Sequence, residues 1–112
     1  MIPNAHFATV DASKIRDYLL SPSHPVGRFK SAFFRSLGYT HERPEELDAA
    51  LRRLVQDAEA ELDDRTDHGQ KYRVAGTLVG PSGVGATVTT VWIVLNGEQL
   101  PRFVTAFPGD RT

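Results

Sequence analysis

One histidine and two cations lie close together in residues 21–30, Ser-Pro-Ser-His-Pro-Val-Gly-Arg-Phe-Lys. Two prolines and a glycine restrict the backbone on either side of His24, so a stiffened turn presents the imidazole. An imidazole that titrates near neutral pH can move a proton, while Arg28 and Lys30 supply positive charge. This combination predicts a site that handles a phosphodiester.

Cleavage of RNA without a metal is the reaction that these residue types fit. It needs a base for the ribose 2'-hydroxyl, an acid for the leaving oxygen and cations for the charge that builds on phosphorus. His24 could act as the base or the acid. Lys30 and Arg28 could stabilise the charge, and Arg102 could clamp a phosphate with two hydrogen bonds.

Each of these residues also has a structural alternative. His24 is either a proton-transfer group or a turn histidine that caps a helix or lies in solvent. Arg28 and Lys30 either stabilise charge or simply lie in solvent at the start of a helix. Thr105 is either a catalytic hydroxyl or a β-branched core residue. Trp92 is either a platform for a base or a packing residue of a central strand.

Length and composition predict a single globular domain over residues 1–112, with 40% hydrophobic residues. No apolar run approaches the roughly 20 residues of a membrane helix. The N-terminus lacks the pattern of a secretory signal, so we expect a cytoplasmic protein, although a toxin domain cut from a longer exported protein would look the same.

The chain contains no cysteine, which excludes disulfides, a thiolate nucleophile and cysteine-based zinc sites. His6, His41 and His68 are in separate segments without metal-ligand spacing. Residues 80–85, Gly-Pro-Ser-Gly-Val-Gly, open no helix and lack the lysine of a phosphate loop. We therefore expect neither a metal nor a cofactor.

Charge is distributed unevenly along the chain. Residues 42–67 contain ten acids and four arginines, a balance of −6, whereas the whole chain has a net charge of −1. The other residues of the chain carry a net charge of +5, which allows a cationic surface for nucleic acid. The alternative is that the acidic segment is simply a solvated face.

Hydrophobic spacing predicts three helices in the first half. They cover residues 12 to about 20, with Asp11 as the N-cap, 28–37, with Gly38 at the C-terminal cap, and about 44–60, beginning at Pro44. The second helix is expected to bury apolar positions 29, 32, 33 and 37, and the third buries 47, 50, 51, 54 and 55. A polar loop is predicted over 62–69.

The pattern then changes to strands rich in valine, threonine and aromatic residues, over 70–79, 86–95 and 102–107. Turn signals between them predict an antiparallel meander, and residues 6–10 offer a possible fourth strand. The predicted fold is α+β, with three N-terminal helices packed on a C-terminal antiparallel meander of three or four strands.

Strand alternation divides the side chains between two faces. Arg102 falls on the face opposite Thr105, and the apolar set that includes Thr105 is expected to face the helices. Arg73 and Arg102, with Thr90 or Trp92, would then line the other side as a cationic floor. Arg28, Arg73 and Trp92 are therefore predicted to bind substrate.

Residues 24–30, with 33, 34, 37 and 38, and later residues 91–93 and 101–107, resemble a family of small bacterial domains with the motif His-Pro-x-Gly-x-x-Lys. Members look like toxins of the barnase, EndoU, colicin and RelE superfamily, which are metal-independent ribonucleases. By motif position, the resemblance implies the catalytic set His24, Lys30, Arg102 and Thr105. Phe107 stands where the Thr-Ala-Tyr pattern has tyrosine, so that phenol is missing here.

Two specific functions follow from the sequence, and a housekeeping domain with no enzymatic role is a third possibility. The first is a metal-independent endoribonuclease, the toxin of a bacterial toxin-antitoxin or toxin-immunity pair, with RNA as substrate and a cognate antitoxin or immunity protein as partner. The second is a non-catalytic binding module of the antitoxin or immunity type, which uses the acidic third helix to hold a basic partner. A catalytic domain should collect His24, Lys30 and Arg102 on one concave surface.

Overall fold

The structure is a computed structural model that describes residue 2 and residues 4–21 and 28–109, with only the backbone at 28 and 29. Its elements are a 3₁₀ turn Ala5–Phe7, helix α1 Ala12–Lys14 with a π-helical continuation Ile15–Leu19, helices α2 Arg28–Ser36 and α3 Pro44–Asp57, and strands β1 Ala60–Arg65, β2 Gly69–Val79, β3 Gly85–Leu95 and β4 Arg102–Pro108. The strands form one antiparallel sheet in the order β1-β2-β3-β4. The predicted α+β fold is confirmed.

The first helical segment begins where its cap predicts. The Asp11 carboxylate accepts a hydrogen bond from the Ser13 backbone N–H at 2.9 Å, which satisfies one of the free donors of the first turn. Ile15 and Leu19 are completely buried on its inner side. Tyr18, on the π-helical part, is half-buried and packs against the same core.

Helix α2 has nearly the predicted bounds but a different buried face. Phe34 and Leu37 are buried, Phe33 is partly buried and Ala32 is exposed, so the prediction for Ala32 was wrong. The side chain of Phe29, also predicted to be buried, lies outside the described part of the structure. Burying a phenylalanine ring removes much more apolar area from water than burying a methyl group. The helix therefore turns Phe34 inward, and Ser31 on the same side becomes buried.

Helix α3 buries Leu47, Leu51, Leu54 and Val55 as predicted, but it ends at Asp57 and not near residue 60. Residues 60–65, predicted as helix end and loop, form strand β1. Its sequence, Ala-Glu-Leu-Asp-Asp-Arg, has no apolar alternation because it is an edge strand that pairs only with β2. Charged side chains on an edge strand prevent pairing with other chains.

The possible strand over 6–10 is reduced to one bridge. Residues 5–7 form the 3₁₀ turn, and Thr9 makes an isolated parallel bridge to Arg102. Two backbone hydrogen bonds of 2.9 Å each, from Thr9 N–H to the Pro101 carbonyl and from Phe103 N–H to the Thr9 carbonyl, join this segment to the start of β4. The segment is too short to continue the ladder.

Trp92 and Thr90 lie on the core face of the sheet, not on the predicted cationic floor. Trp92 is completely buried, and its Nε1–H donates to Thr90 Oγ1 at 2.8 Å. Thr90 Oγ1 in turn donates to the Val74 carbonyl at 2.8 Å. This chain satisfies both polar groups inside the core, which is the condition for burying them.

A β-bulge changes which residues of β4 share a face. Phe103 pairs with Trp92 and Thr105 pairs with Val91, so Val104 is an extra residue between them. Phe103 therefore faces the core, while Thr105 lies with Val91 on the other face. The alternation predicted from sequence, with Thr105 among the core residues, was wrong at this point because a bulge adds one residue to the period of two.

No helix among the described residues is long and apolar enough to cross a membrane.

Candidate active site

A cleft of about 620 Å³ lies between the first helical segment, α2 and the edge strand β4. Its described lining consists of Ser13, Lys14, Asp17, Tyr18, Lys30, Val104 and Thr105. Three chain segments that are distant in sequence thus contribute polar side chains to one concavity. This cleft is the candidate site.

Lys30 connects the two sides of the cleft. Its Nζ donates to Tyr18 OH at 2.9 Å and to Thr105 Oγ1 at 2.7 Å. Tyr18 OH and Thr105 Oγ1 are 3.3 Å apart, within hydrogen-bonding distance. We call Tyr18, Lys30 and Thr105 the polar triad.

The environment of Tyr18 favours ionisation of its phenol. Burial alone would raise its pKa, but the hydrogen bonds with Lys30 and Thr105, and the charges of Lys30 and Lys14, outweigh burial and lower the pKa of Tyr18 below its ordinary value. A phenol with a lowered pKa next to a lysine ammonium is suited to exchanging a proton with a substrate.

Lys14 places a second ammonium in the cleft. Its Nζ donates to the backbone carbonyl of Val104 at 3.0 Å. Asp17 is the carboxylate in the lining, and its nearest cation is Arg16, at 3.1 Å. That hydrogen bond lowers the pKa of Asp17, in spite of some opposing desolvation, so the group stays ionised at neutral pH.

The structure brings together two residues of the predicted catalytic set, Lys30 and Thr105. Arg102 is not in the described lining of this cleft. Its exposed guanidinium makes a two-point ion pair with Glu98, at 2.9 and 2.8 Å. Because of the bulge, Arg102, which pairs with Ile93, is on the same face as Thr105, so the prediction of opposite faces was wrong. Arg102 lines a second cleft of about 600 Å³ with Asp11, Gln99 and neighbouring residues.

Arg73 shares a cross-strand row with Thr105, the member of the polar triad that is in the sheet. It pairs with Val91, which pairs with Thr105, so Arg73 is two strand spacings, about 10 Å, from Thr105. Its side chain is 29% exposed and lies 3.5 Å from Glu61. Its buried Nε has no hydrogen-bond partner among the described residues.

The remaining predicted site residues fall elsewhere. His24 lies outside the described residues, as does the side chain of Arg28. Trp92 is in the core and cannot stack a base in this structure. In the described part of the chain, no group of three or more histidine, cysteine, aspartate or glutamate residues is arranged to hold a metal ion.

Sequence reasoning missed Lys14 and Tyr18. Tyr18 has the same helical spacing as the apolar Ile15 and Leu19, which predicts a buried position and not a site residue. A signal was present, because residues four apart lie on the same side of a helix, so a lysine and a tyrosine at positions 14 and 18 can meet at one site. Which residues of other segments they contact depends on the tertiary structure.

These features define an α+β fold in which the described residues form three helices and an antiparallel meander, with a lysine-centred polar site at the β4 edge. Residues 1–110 match the family model described as a domain of unknown function, DUF6883. The chain belongs to this family. No curated protein matches the chain.

Among solved structures, the fold is similar to that of a chain in a contact-dependent growth inhibition toxin and immunity protein complex from Klebsiella pneumoniae 342. The TM-score is 0.69 at 19% sequence identity, and the match covers 89% of this chain and 98% of that chain. At this identity the likeness concerns the fold.

Proposed function

We propose that this chain is a metal-independent endoribonuclease that acts as the toxin of a bacterial toxin-immunity or toxin-antitoxin pair. The observation that carries the proposal is the polar triad, in which Lys30 holds both Tyr18 OH and Thr105 Oγ1. The family resemblance implied a role for Lys30 and Thr105, which are 75 positions apart. Their meeting in one cleft supports that implication.

The reaction would be transfer of the phosphodiester to the neighbouring ribose hydroxyl. The 2'-oxygen forms a bond to phosphorus and the bond to the 5'-oxygen breaks, while one proton leaves the 2'-hydroxyl and another joins the leaving oxygen. The products are a 2',3'-cyclic phosphate and a 5'-hydroxyl. No water or metal enters this step.

Each member of the polar triad has a role in that step. The Lys30 ammonium stabilises the negative charge that builds on the phosphorane oxygens. Tyr18, with its lowered pKa, exchanges one of the two protons, and Thr105 orients Lys30 and Tyr18. His24, proposed from sequence alone, is the partner for the other proton.

The partner protein is part of the proposal. The solved structure with a similar fold is a complex of a toxin with an immunity protein. This supports a cognate protein that restrains the present chain inside the cell, where RNA is available.

Expression of the chain in bacteria, with and without its neighbouring gene, tests the proposal. Growth should stop only without that gene, and sequencing of RNA ends should show cleavage products. In vitro, the purified protein should cleave RNA in excess EDTA, leave DNA intact for lack of the 2'-hydroxyl, and produce cyclic phosphate ends. A requirement for magnesium, or equal cleavage of DNA, would overturn the mechanism.

The second candidate function is that of an immunity-type binding module. The solved complex contains an immunity protein as well as a toxin, and β1 gives the present chain an exposed acidic edge. Such a module would not arrest growth, and it would protect cells that express a neighbouring toxin. The isolated chain should arrest growth and the Lys30→Ala variant should not. This result favours the ribonuclease if Lys30→Ala has the melting temperature of the parent.

A further inference from the structure

The bulge in β4 leaves one residue without a cross-strand position. Because Val91 pairs with Thr105 and Trp92 pairs with Phe103, Val104 has no residue opposite it in β3. The carbonyl of Val104 accepts a hydrogen bond from Lys14 Nζ at 3.0 Å, in a half-buried contact between residues 90 positions apart. Hydrogen bonds from an ammonium are among the stronger ones.

The side-chain direction of Thr105 depends on this bulge. If the extra residue were removed from the ladder, the residues on one side of it would move to the opposite face. Thr105 Oγ1 would then lose its position 2.7 Å from Lys30 Nζ. The contact that holds the bulge is therefore connected to the polar triad through one residue of β4.

We propose that Lys14 is a positioning residue of the site. Its ammonium holds the carbonyl of the bulged Val104 and so keeps Thr105 Oγ1 within hydrogen-bonding distance of Lys30 Nζ. Its consequence for catalysis rests on the proposed ribonuclease function, whereas the positioning itself does not. Lys14 acts here from α1, the element that also leads to Tyr18.

The surroundings of Tyr18 provide a way to detect this role. The groups that bear on its phenol include Lys14 from α1, Lys30 from α2 and Thr105 from β4, and Asp17 is next to it in the cleft lining. Lys14 can affect Tyr18 in two ways, directly through its charge or indirectly through the position of Thr105. The two can be separated by a double-mutant cycle.

The experiment measures the Tyr18 phenol pKa by NMR of carbon-labelled tyrosine, assigned with Tyr18→Phe, together with the methyl resonance of Thr105. Lys14→Met keeps the unbranched stem of the side chain but removes the terminal donor and the charge. Lys14→Arg keeps both. Arg35→Ala is the control, since Arg35 is an exposed cation of the neighbouring helix α2.

In Lys14→Met we expect the Thr105 methyl resonance to move and the Tyr18 pKa to rise. The rise should be smaller when Thr105 is already valine, because only the direct charge effect is left. Lys14→Arg and Arg35→Ala should behave like the parent. For cleavage of RNA, Lys14→Met should lower kcat about tenfold to a hundredfold, the scale of a small misplacement, with a smaller change in KM.

Equal rises of the Tyr18 pKa in the parent and the Thr105→Val background, with an unmoved Thr105 resonance, would overturn the positioning role. If the resonance and pKa effects appear in a protein that does not cleave RNA, the positioning role stands and the proposed function fails. A lower melting temperature without either spectroscopic effect would show that Lys14 is only structural, and would also overturn the inference.

Discussion

Lys30 Nζ lies 2.7 Å from Thr105 Oγ1, although the two residues are 75 positions apart. Lys30 is in the first turn of α2 and Thr105 is in the edge strand β4, so this contact forms only when the helices pack against the sheet. Tyr18 completes the arrangement from the first helical segment. The chemistry proposed for the chain depends on this convergence.

The two cations of the predicted catalytic set should behave differently. Lys30→Ala should lower kcat for RNA cleavage by about 10²–10³-fold, the usual effect of removing one group that stabilises developing charge. Arg102→Ala should leave kcat of the same order, because the Arg102 guanidinium is paired with Glu98 outside the cleft. Single-turnover rates and a melting curve for each variant provide the test. Equal losses in both variants would place Arg102 in the reaction.

A matched pair of threonine substitutions separates stability from activity. Thr90→Val removes the acceptor of Trp92 Nε1–H and the donor to the Val74 carbonyl, so we expect a loss of about 1–3 kcal/mol in unfolding free energy. Thr105→Val should change stability much less but lower kcat about tenfold to a hundredfold through misplacement of Lys30. Urea unfolding and RNA cleavage measure the two effects. If Thr105→Val loses only stability, Thr105 is a packing residue.

The pKa values of two tyrosines should be shifted in opposite directions from the ordinary value of 10.0. Tyr18 has a lowered pKa, so its contribution to stability is present above pH 10.0 and is lost as the pH falls through the folded-state pKa. Burial and the charge of Glu46 raise the pKa of Tyr39, so its contribution is present below pH 10.0 and is lost as the pH rises through its folded-state pKa.

Ultraviolet titration of the phenolates measures both tyrosines. Tyr18→Phe should remove a phenol with a pKa below 10.0, and Tyr39→Phe should remove one with a pKa above 10.0. A titration in which Tyr18→Phe removes a phenol with an ordinary pKa would contradict the influence of Lys30 on Tyr18.

The end of α2 provides a test of packing. Gly38 has φ of +100° and a Cβ added there would lie 2.5 Å from the Ser82 backbone nitrogen. Gly83→Ala is the control, since Gly83 has φ of +86° but open space around it. Gly83→Ala should cost about 1–2 kcal/mol from backbone strain, and Gly38→Ala should cost about 1–3 kcal/mol more because of the clash. Equal losses in urea unfolding would show that the β2–β3 turn moves away freely.

Elements with strong local signals could be predicted from the amino-acid sequence. The spacing of Leu47, Leu51 and Val55 predicted α3, and the Asp11 cap predicted the start of α1. Strands β2, β3 and β4 were predicted to within about one residue at each end, because alternation and turn residues act over short distances. The functional role of Lys30 and Thr105 was predicted from their positions in the family motifs.

The contacts between these residues come from long-range packing and pairing. Strand β1 has no apolar alternation in its sequence, and it forms because it pairs with β2. The bulge at Val104 depends on the register between β3 and β4. That register puts Thr105 next to Lys30, and packing of the first helical segment brings Tyr18 and Lys14 to the same cleft. Such contacts depend on long-range pairing and burial, which the local periodicity of a single sequence does not contain.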